Sequence, residues 1–290
     1  MVTAMIPTVL MTVIGIILLA IGGSKSMAVI GGILVLSFCA MALTGYVIGS
    51  IFVTRGASLA AVQNEFLALV SHELRTPLTS IRMFIETLRD DRVQDPEARR
   101  RCLTVINQEL GRLDGLVGRL IELSKIEHRH AVFDHHVVKV ADLVADALAA
   151  FAVVKVGAQV DVHVALEPDL AVFGDRAALA QAVGNLLANA WKYTLAEGKR
   201  IEVLASADAK HVAIAVVDNG VGIPRREQDV IFDKFHRGSS AELQQSAGSG
   251  LGLALVRAIV EAHRGKVDVK SEGGHGARFR IVLPRYWVTA

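Results

Sequence analysis

Five clusters in this 290-residue chain combine residue types and spacing that can do chemistry. The first runs from Phe66 to Leu78 and reads Phe-Leu-Ala-Leu-Val-Ser-His-Glu-Leu-Arg-Thr-Pro-Leu. On a helix advancing about 100° per residue, Phe66, Val70, Leu74, Leu78, Ile81, Ile85 and Leu88 share one arc. His72 points almost directly away from it. A lone histidine on a polar helix face is usually decoration, but this one has company. Glu73 can accept an imidazole N–H, leaving the other ring nitrogen more basic and nucleophilic. Thr76 lies one turn on, where its hydroxyl can hold a water. Pro77 disfavours helical geometry at Thr76 and removes an amide, so a bend is expected just below the histidine.

The other four clusters lie in the second half. In Asn185-Leu-Leu-Ala-Asn189-Ala-Trp-Lys192-Tyr193, the two amides and the ammonium fall on one helical stripe. Amide oxygens suit a hard cation and the ammonium suits phosphate, so the stripe fits a Mg²⁺–triphosphate. Asparagines that merely solvate a helix fit less well, because asparagine is a mediocre interior helix former. Asp218-Asn-Gly220-Val-Gly222-Ile223 places a carboxylate at a strand end before a tight turn. Alone, that pattern is equally an ordinary turn. Ile231-Phe232-Asp233-Lys234-Phe235-His236-Arg237 would alone be plain core. Gly248-Ser-Gly250-Leu251-Gly252-Leu253 precedes a helix, where bare amides and the helix dipole favour an anion. Between Arg237 and Gly248 lies a polar, Ser/Gln-rich segment that fits a lid over a nucleotide.

His72-Glu-x-x-Thr76-Pro in its apolar frame resembles the phosphoacceptor box of sensor histidine kinases. The order and spacing of the later clusters resemble the histidine kinase branch of the Bergerat-type ATPase fold. The resemblance covers about residues 56–285. It implies ATP as substrate with Mg²⁺ as cofactor, the metal held by Asn189 with support from Asn185. Lys192 and Tyr193 would meet phosphate and sugar, while Asp218, beside Gly220, Gly222 and Ile223, would read the adenine amino group. Phe232 and Phe235 would pack the base of the lid. Arg237 and Ser246 would touch phosphate, as would the loop carrying Gly248, Gly250, Leu251, Gly252 and Leu253. His72 would attack the γ-phosphate, with Glu73 orienting the ring and taking its proton. The phosphoryl group would pass to an aspartate of a separate response regulator, and Thr76 would position a water in the reverse, phosphatase activity. One departure is Ala277, which stands where a Thr or Ser commonly follows the glycine. Three alternatives stay open: a phosphatase-dominant sensor, an ATP-driven conformational clamp without phosphohistidine, and a membrane scaffold whose nucleotide domain only binds.

These groups need elements to position them. Residues 57–91 read as one amphipathic helix. A polar break over Asp90–Glu97 follows, with Pro96 suited to the first turn of a second helix. The stripe Leu103, Ile106, Leu110, Leu113, Leu116 or Val117, Leu120, Leu123, Ile126 carries that helix to about His128. Two such helices cannot bury their stripes alone, so dimerisation into a four-helix bundle is expected. His128, His130, His135 and His136 read as a polar connector, since their spacing fits no standard metal-ligand pattern. Beyond it, helices are predicted over Ala141–Phe151, Asp175–Tyr193 and Leu251–His263. Strands are predicted over Gln159–Leu166, Ile201–Ala205, His211–Val217, Lys266–Ser271 and Ala277–Leu283.

Residues 1–54 contain no Asp, Glu or Arg, and one Lys, Lys25. Apolar runs over about 5–22 and 27–53 each approach the roughly 20 residues that span a bilayer. The expectation is a transmembrane helical hairpin with no room for an external ligand-binding domain, running almost directly into the first bundle helix. Sensing would then involve membrane lipid or a partner membrane protein. The fold class expected is α+β: a transmembrane hairpin (1–54), a dimerisation and phosphotransfer hairpin (55–130) and an α/β sandwich (131–290). The location expected is the bacterial inner membrane, multi-pass, with the kinase domains cytoplasmic. A net charge of +2 gives no pull toward nucleic acid. Cys39 and Cys102 form no disulfide framework.

Overall fold

The structure is a computed structural model and describes residues 11–17, 20, 26–90, 93–154, 160–194, 198–236, 238 and 249–287, with backbone alone for 26–28, 51–67 and 153–154. Arg237, Ser246, Gly248, the Lys25 turn and the side chain of Phe66 lie outside these. The chain divides into two units, Met1–Ala68 and Leu69–Ala290.

In the first unit, residues 11–17 are helical. Helix α1 begins at Ser26 and ends at Arg89. Its stretch Val29–Ser50 is 22 residues long and apolar enough to cross a membrane. At 1.5 Å per residue that is about 33 Å, against a hydrocarbon core of about 30 Å. Gly15 is buried against α1, with the position of a Cβ only 3.1 Å from Leu36 Cγ. Most of the first apolar run is not described. One apolar span is therefore observed where two were expected.

The second unit opens with the rest of α1, which stays helical through Pro77. Helix α2, Pro96–Glu127, starts as the sequence dictates. Asp95 accepts from the Glu97 and Ala98 amides at 3.2 and 3.0 Å, and Pro96 occupies the first turn. Pro77, Ile81, Cys102, Leu116 and Leu123 are buried, whereas Leu78, Ile85, Leu103, Leu110 and Val117 stay exposed.

The remaining chain forms a sheet with helices on one face. Strands β2 (Asp161–Leu166), β4 (Arg200–Ala207), β5 (His211–Asp218), β6 (Lys266–Ser271) and β7 (Ala277–Pro284) stand in the order β2-β4-β5-β7-β6. Only β2 and β4 run parallel. Alternation on β4 and β7 sends Ile201, Val203 and Ala205, and Ala277, Phe279, Ile281 and Leu283, inward. Helices α3 (Val140–Val154), α4 (Arg176–Tyr193) and α5 (Gly252–Ala262) cover that face with Leu143, Leu186, Leu187, Leu255 and Ile259. A small antiparallel pair, β1 (His136–Lys139) with β3 (Ala171–Gly174), was not read from the sequence. Each strand has four residues, too few for a period to stand out.

The connector between α2 and β1 is more than a polar linker. The Asp134 amide donates to Asp175 at 3.0 Å, and the His135 ring lies 5.0 Å from that of buried His263. His263 accepts from the Asp175 amide at 3.0 Å, and its other nitrogen lies 2.7 Å from the Ile259 carbonyl. The connector expected to be merely polar is thus anchored to the sheet domain here.

Candidate active site

Asp218 ends β5 in the core and is 8% exposed. One carboxylate oxygen accepts from the Gly220 amide at 2.9 Å and the Ala277 amide at 3.2 Å. Burial pushes its pKa above the ordinary carboxylate value, and those two amides oppose the shift. The loop after it is shaped by close approach. Gly222 has φ +70°, and a Cβ there would run into the Glu272 carbonyl, so glycine is required. The Ile223 amide is held by Ser271 Oγ at 2.7 Å, which itself donates to the Gly276 carbonyl at 2.6 Å.

Asp218, Asn189, Tyr193, Gly222, Ile223 and Leu253 line one pocket. Glu227, Ile231, His236, Gly238, Ala277 and Phe279 complete it and were missed in the sequence. Glu227 sits in an unremarkable charged run. His236 stands between two residues that were chosen, Phe235 and Arg237. Its Nε2 is buried with no hydrogen-bond partner among the described residues, and so is available to a ligand. Ala277, the departure from the expected Thr or Ser, contributes its amide to Asp218 rather than a hydroxyl.

Helix α4 brings Asn189 and Tyr193 to this pocket, while Asn185 and Lys192 do not line it. Asp175 caps the helix by accepting from the Ala178 amide at 3.0 Å. Asn189 lines the pocket, and Asn185 Oδ1 lies 3.8 Å from the Cβ position of Gly252 at the start of α5. Neither amide side chain hydrogen-bonds a described residue. Two uncommitted amide oxygens beside a helix N-terminus fit a hard cation carrying phosphate. Lys192 Nζ donates to the Tyr193 hydroxyl at 2.9 Å. No side chain caps α5, so its first amides are open to an anion. Leu251 is fully buried and anchors the loop. Phe235 adopts φ +60°, and its amide donates to the Gly250 carbonyl at 3.0 Å. A side chain on Gly250 (φ +66°) would meet the Phe235 backbone at 2.6 Å. Phe232 and Phe235 are buried.

His72 lies on α1, outside the nucleotide-type pocket, and is exposed. Glu73 is half-buried and lines a separate cavity. Thr76 Oγ1 donates to the His72 carbonyl at 3.3 Å, which steadies the turn where Pro77 lacks a donor. The sequence-named residues thus form two groups, an acceptor group on a helix and a ligand pocket on the sheet domain.

Comparison with known proteins matches this division. Residues 62–129 match the His Kinase A (phospho-acceptor) domain, and residues 174–286 the Histidine kinase-, DNA gyrase B-, and HSP90-like ATPase. The chain is 33% identical over 228 residues to the sensor-like histidine kinase SenX3 of Mycobacterium tuberculosis, covering 79% of this chain and 55% of that protein. It is 32% identical over 246 residues to the sensor protein kinase WalK of Staphylococcus aureus, covering 83% of this chain and 58% of that one. It thus spans little more than half the length of either relative. The histidine kinase ThkA, solved in complex with the response regulator protein TrrA, is similar at TM-score 0.60 and 26% identity, covering 77% of this chain and 61% of that one. ShkA, solved with AMPPNP, gives TM-score 0.58 and 26% identity over 78% of this chain and 47% of that one. A match to the phospho-acceptor domain followed by a match to this ATPase domain, in this order, makes the chain a member of the sensor histidine kinase family.

Proposed function

We propose that the chain is an ATP-dependent protein-histidine kinase that phosphorylates its own His72 and passes the phosphoryl group to an aspartate of a separate response regulator. The observation that carries this is the pairing, in one chain, of an exposed His72 with a pocket built from Asp218, Asn189 and the open N-terminus of α5. Asp218 accepts from the adenine amino group, and its buried carboxylate rejects a carbonyl at that position. Asn185 and Asn189 would hold Mg²⁺, which when bound offsets the triphosphate charge. Lys192 adds a positive charge on the same face. The α5 amides receive phosphate oxygens. A neutral His72 nitrogen attacks the γ-phosphorus in line, and Glu73 takes the proton released from the ring. ThkA was solved with the response regulator protein TrrA, which supports a regulator partner of that class here. Thr76, whose hydroxyl donates to the His72 carbonyl, would orient a water when the same surface dephosphorylates the regulator.

The chain works as a membrane-bound homodimer. Leu78, Ile85 and Leu103 stay 54%, 50% and 51% exposed in one copy, and a second hairpin would cover them. Val29–Ser50 supplies one span, and the contact of Gly15 with Leu36 supports a second helix beside it. That hairpin senses lipid or a membrane partner, with the kinase domains cytoplasmic. The test is incubation of the full chain with γ-labelled ATP and Mg²⁺. Acid-labile, base-stable label on the wild type, absent from His72→Gln, is the expected result. Tight nucleotide binding with no label, alongside rapid loss of phosphate from a regulator, would favour a phosphatase-dominant sensor.

A further inference from the structure

A cavity of about 190 Å³ lies between the phosphoacceptor helix and the glycine loop. Its walls include Glu73 and Pro77 of α1, Arg112, Leu116 and Arg119 of α2, and Ser249. Liquid water occupies about 30 Å³ per molecule, so a phosphoryl group fits. Ser249 immediately precedes Gly250 and the open start of α5, where the nucleotide phosphates belong. Glu73 immediately follows His72. The cavity is thus walled by the chain neighbours of both the glycine loop and His72.

Arg119 is the unexplained group in it. It is half-buried, and its Nε is buried with no hydrogen-bond partner among the described residues. The guanidinium folds over Gly115, both terminal nitrogens 3.6 Å from a Cβ position there, which brings no counter-charge. It makes no ion pair with a described residue, whereas Arg112 has Glu109 at 3.9 Å. Burial lowers its pKa from the ordinary arginine value, yet arginine keeps its proton in proteins. A half-buried guanidinium whose Nε is buried without a partner among the described residues carries a desolvation cost, and its planar fork matches the oxygens of a phosphate.

We propose that Arg119 contacts the phosphoryl group as it passes from ATP to His72 of the same chain. This rests on the kinase reading above. In the step, an N–P bond forms from the His72 lone pair and the bond from phosphorus to the β-phosphate bridging oxygen breaks. ADP leaves with that electron pair, and the ring proton goes to Glu73. Arg119 offsets charge on the three oxygens that remain on phosphorus.

The experiment uses the full chain in membranes with γ-labelled ATP and Mg²⁺, and compares wild type, Arg119→Ala, Arg119→Gln and Arg119→Lys. Fluorescent-nucleotide affinity and thermal midpoint are read alongside. The expected result is a maximal labelling rate at least tenfold lower in the Ala and Gln variants, KM for ATP and nucleotide affinity within twofold of wild type, and partial rescue by Lys. In mixed dimers of a His72→Gln chain with an Arg119→Ala chain, label on the latter stays low. An unchanged rate with labelled wild type overturns the role of Arg119 alone. So does a loss shared equally by nucleotide affinity or folding in all three variants, or a full recovery in the mixed dimer. Wild type without label overturns the kinase reading first.

Discussion

The two parts of the Leu69–Ala290 unit close their apolar surfaces differently. In the ATPase part, the central strands are covered: Ile201, Val203, Ile281 and Leu283 share one core with Leu186, Leu187, Leu255 and Ile259, all but inaccessible. In the hairpin, Pro77, Leu116 and Leu123 are covered while Leu78, Ile85 and Leu103 are not. One part is closed within the chain and the other leaves an apolar stripe exposed. A binding pocket needs a rigid wall, which the finished core supplies. An acceptor histidine needs access, which an incomplete hairpin surface leaves to it.

The largest test of this contrast is inside the core. Leu186→Ala removes a fully buried side chain and is expected to cost about 3 kcal/mol, at any protein concentration, in a denaturation series. Leu103→Ala should instead cost stability that grows as the protein is diluted, if its partner surface is another copy as proposed. A concentration-independent Leu103 effect would break the comparison.

Next comes the pocket wall. Gly222→Ala forces a side chain at φ +70° against the Glu272 carbonyl. Loss of about 2 kcal/mol or more and of nucleotide binding is expected, with the hairpin's helical signal retained.

Asp218→Asn separates function from stability. The folded pKa of Asp218 is raised by burial, so the folded state holds its proton to higher pH than the unfolded state. Stability therefore falls as pH rises from the ordinary value of 3.8 through the raised one, and stays lower above it. The Asn variant escapes that penalty and is expected to be at least as stable at neutral pH. Its nucleotide affinity should drop about tenfold or more, because a charge-assisted acceptor is lost. His263 carries the opposite slope. Burial lowers its folded pKa below 6.5, so the unfolded state protonates first and stability declines as pH falls below that value. Melting curves of wild type and His263→Gln should diverge in slope there, and parallel curves would remove the connector anchor from the account.

The smallest effect concerns the surface between the two parts. Lys234 pairs with Glu127 at 2.7 Å, both about a third exposed. Lys234→Ala is expected to change stability by about 0.5 kcal/mol, measured against a Glu127→Ala double-mutant cycle.

Much of this was legible in the chain. Apolar spacing placed α2, α4 and α5 to within a residue or two because each buries one stripe against a large core. Asp218, Gly222 and Gly250 announced themselves through a carboxylate and glycines at turns. What escaped depended on long-range neighbours. β1 and β3 are four-residue strands that pair only with each other. Glu227, His236 and Ala277 reach the pocket from loops and a sheet edge with no local period. His135 looked like part of a polar histidine run, and only the ring of His263, far along the chain, shows it to be an anchor. Nothing in the local spacing of Arg119 sets it apart from the other charged residues of α2.

The central claim is a division of labour, with nucleotide held by the finished domain and the phosphoryl group taken by the open hairpin. It is tested most directly by measuring nucleotide affinity and γ-label incorporation together on His72→Gln. The account predicts affinity equal to wild type and no acid-labile label. Label persisting on His72→Gln, or nucleotide affinity lost with it, would contradict that division.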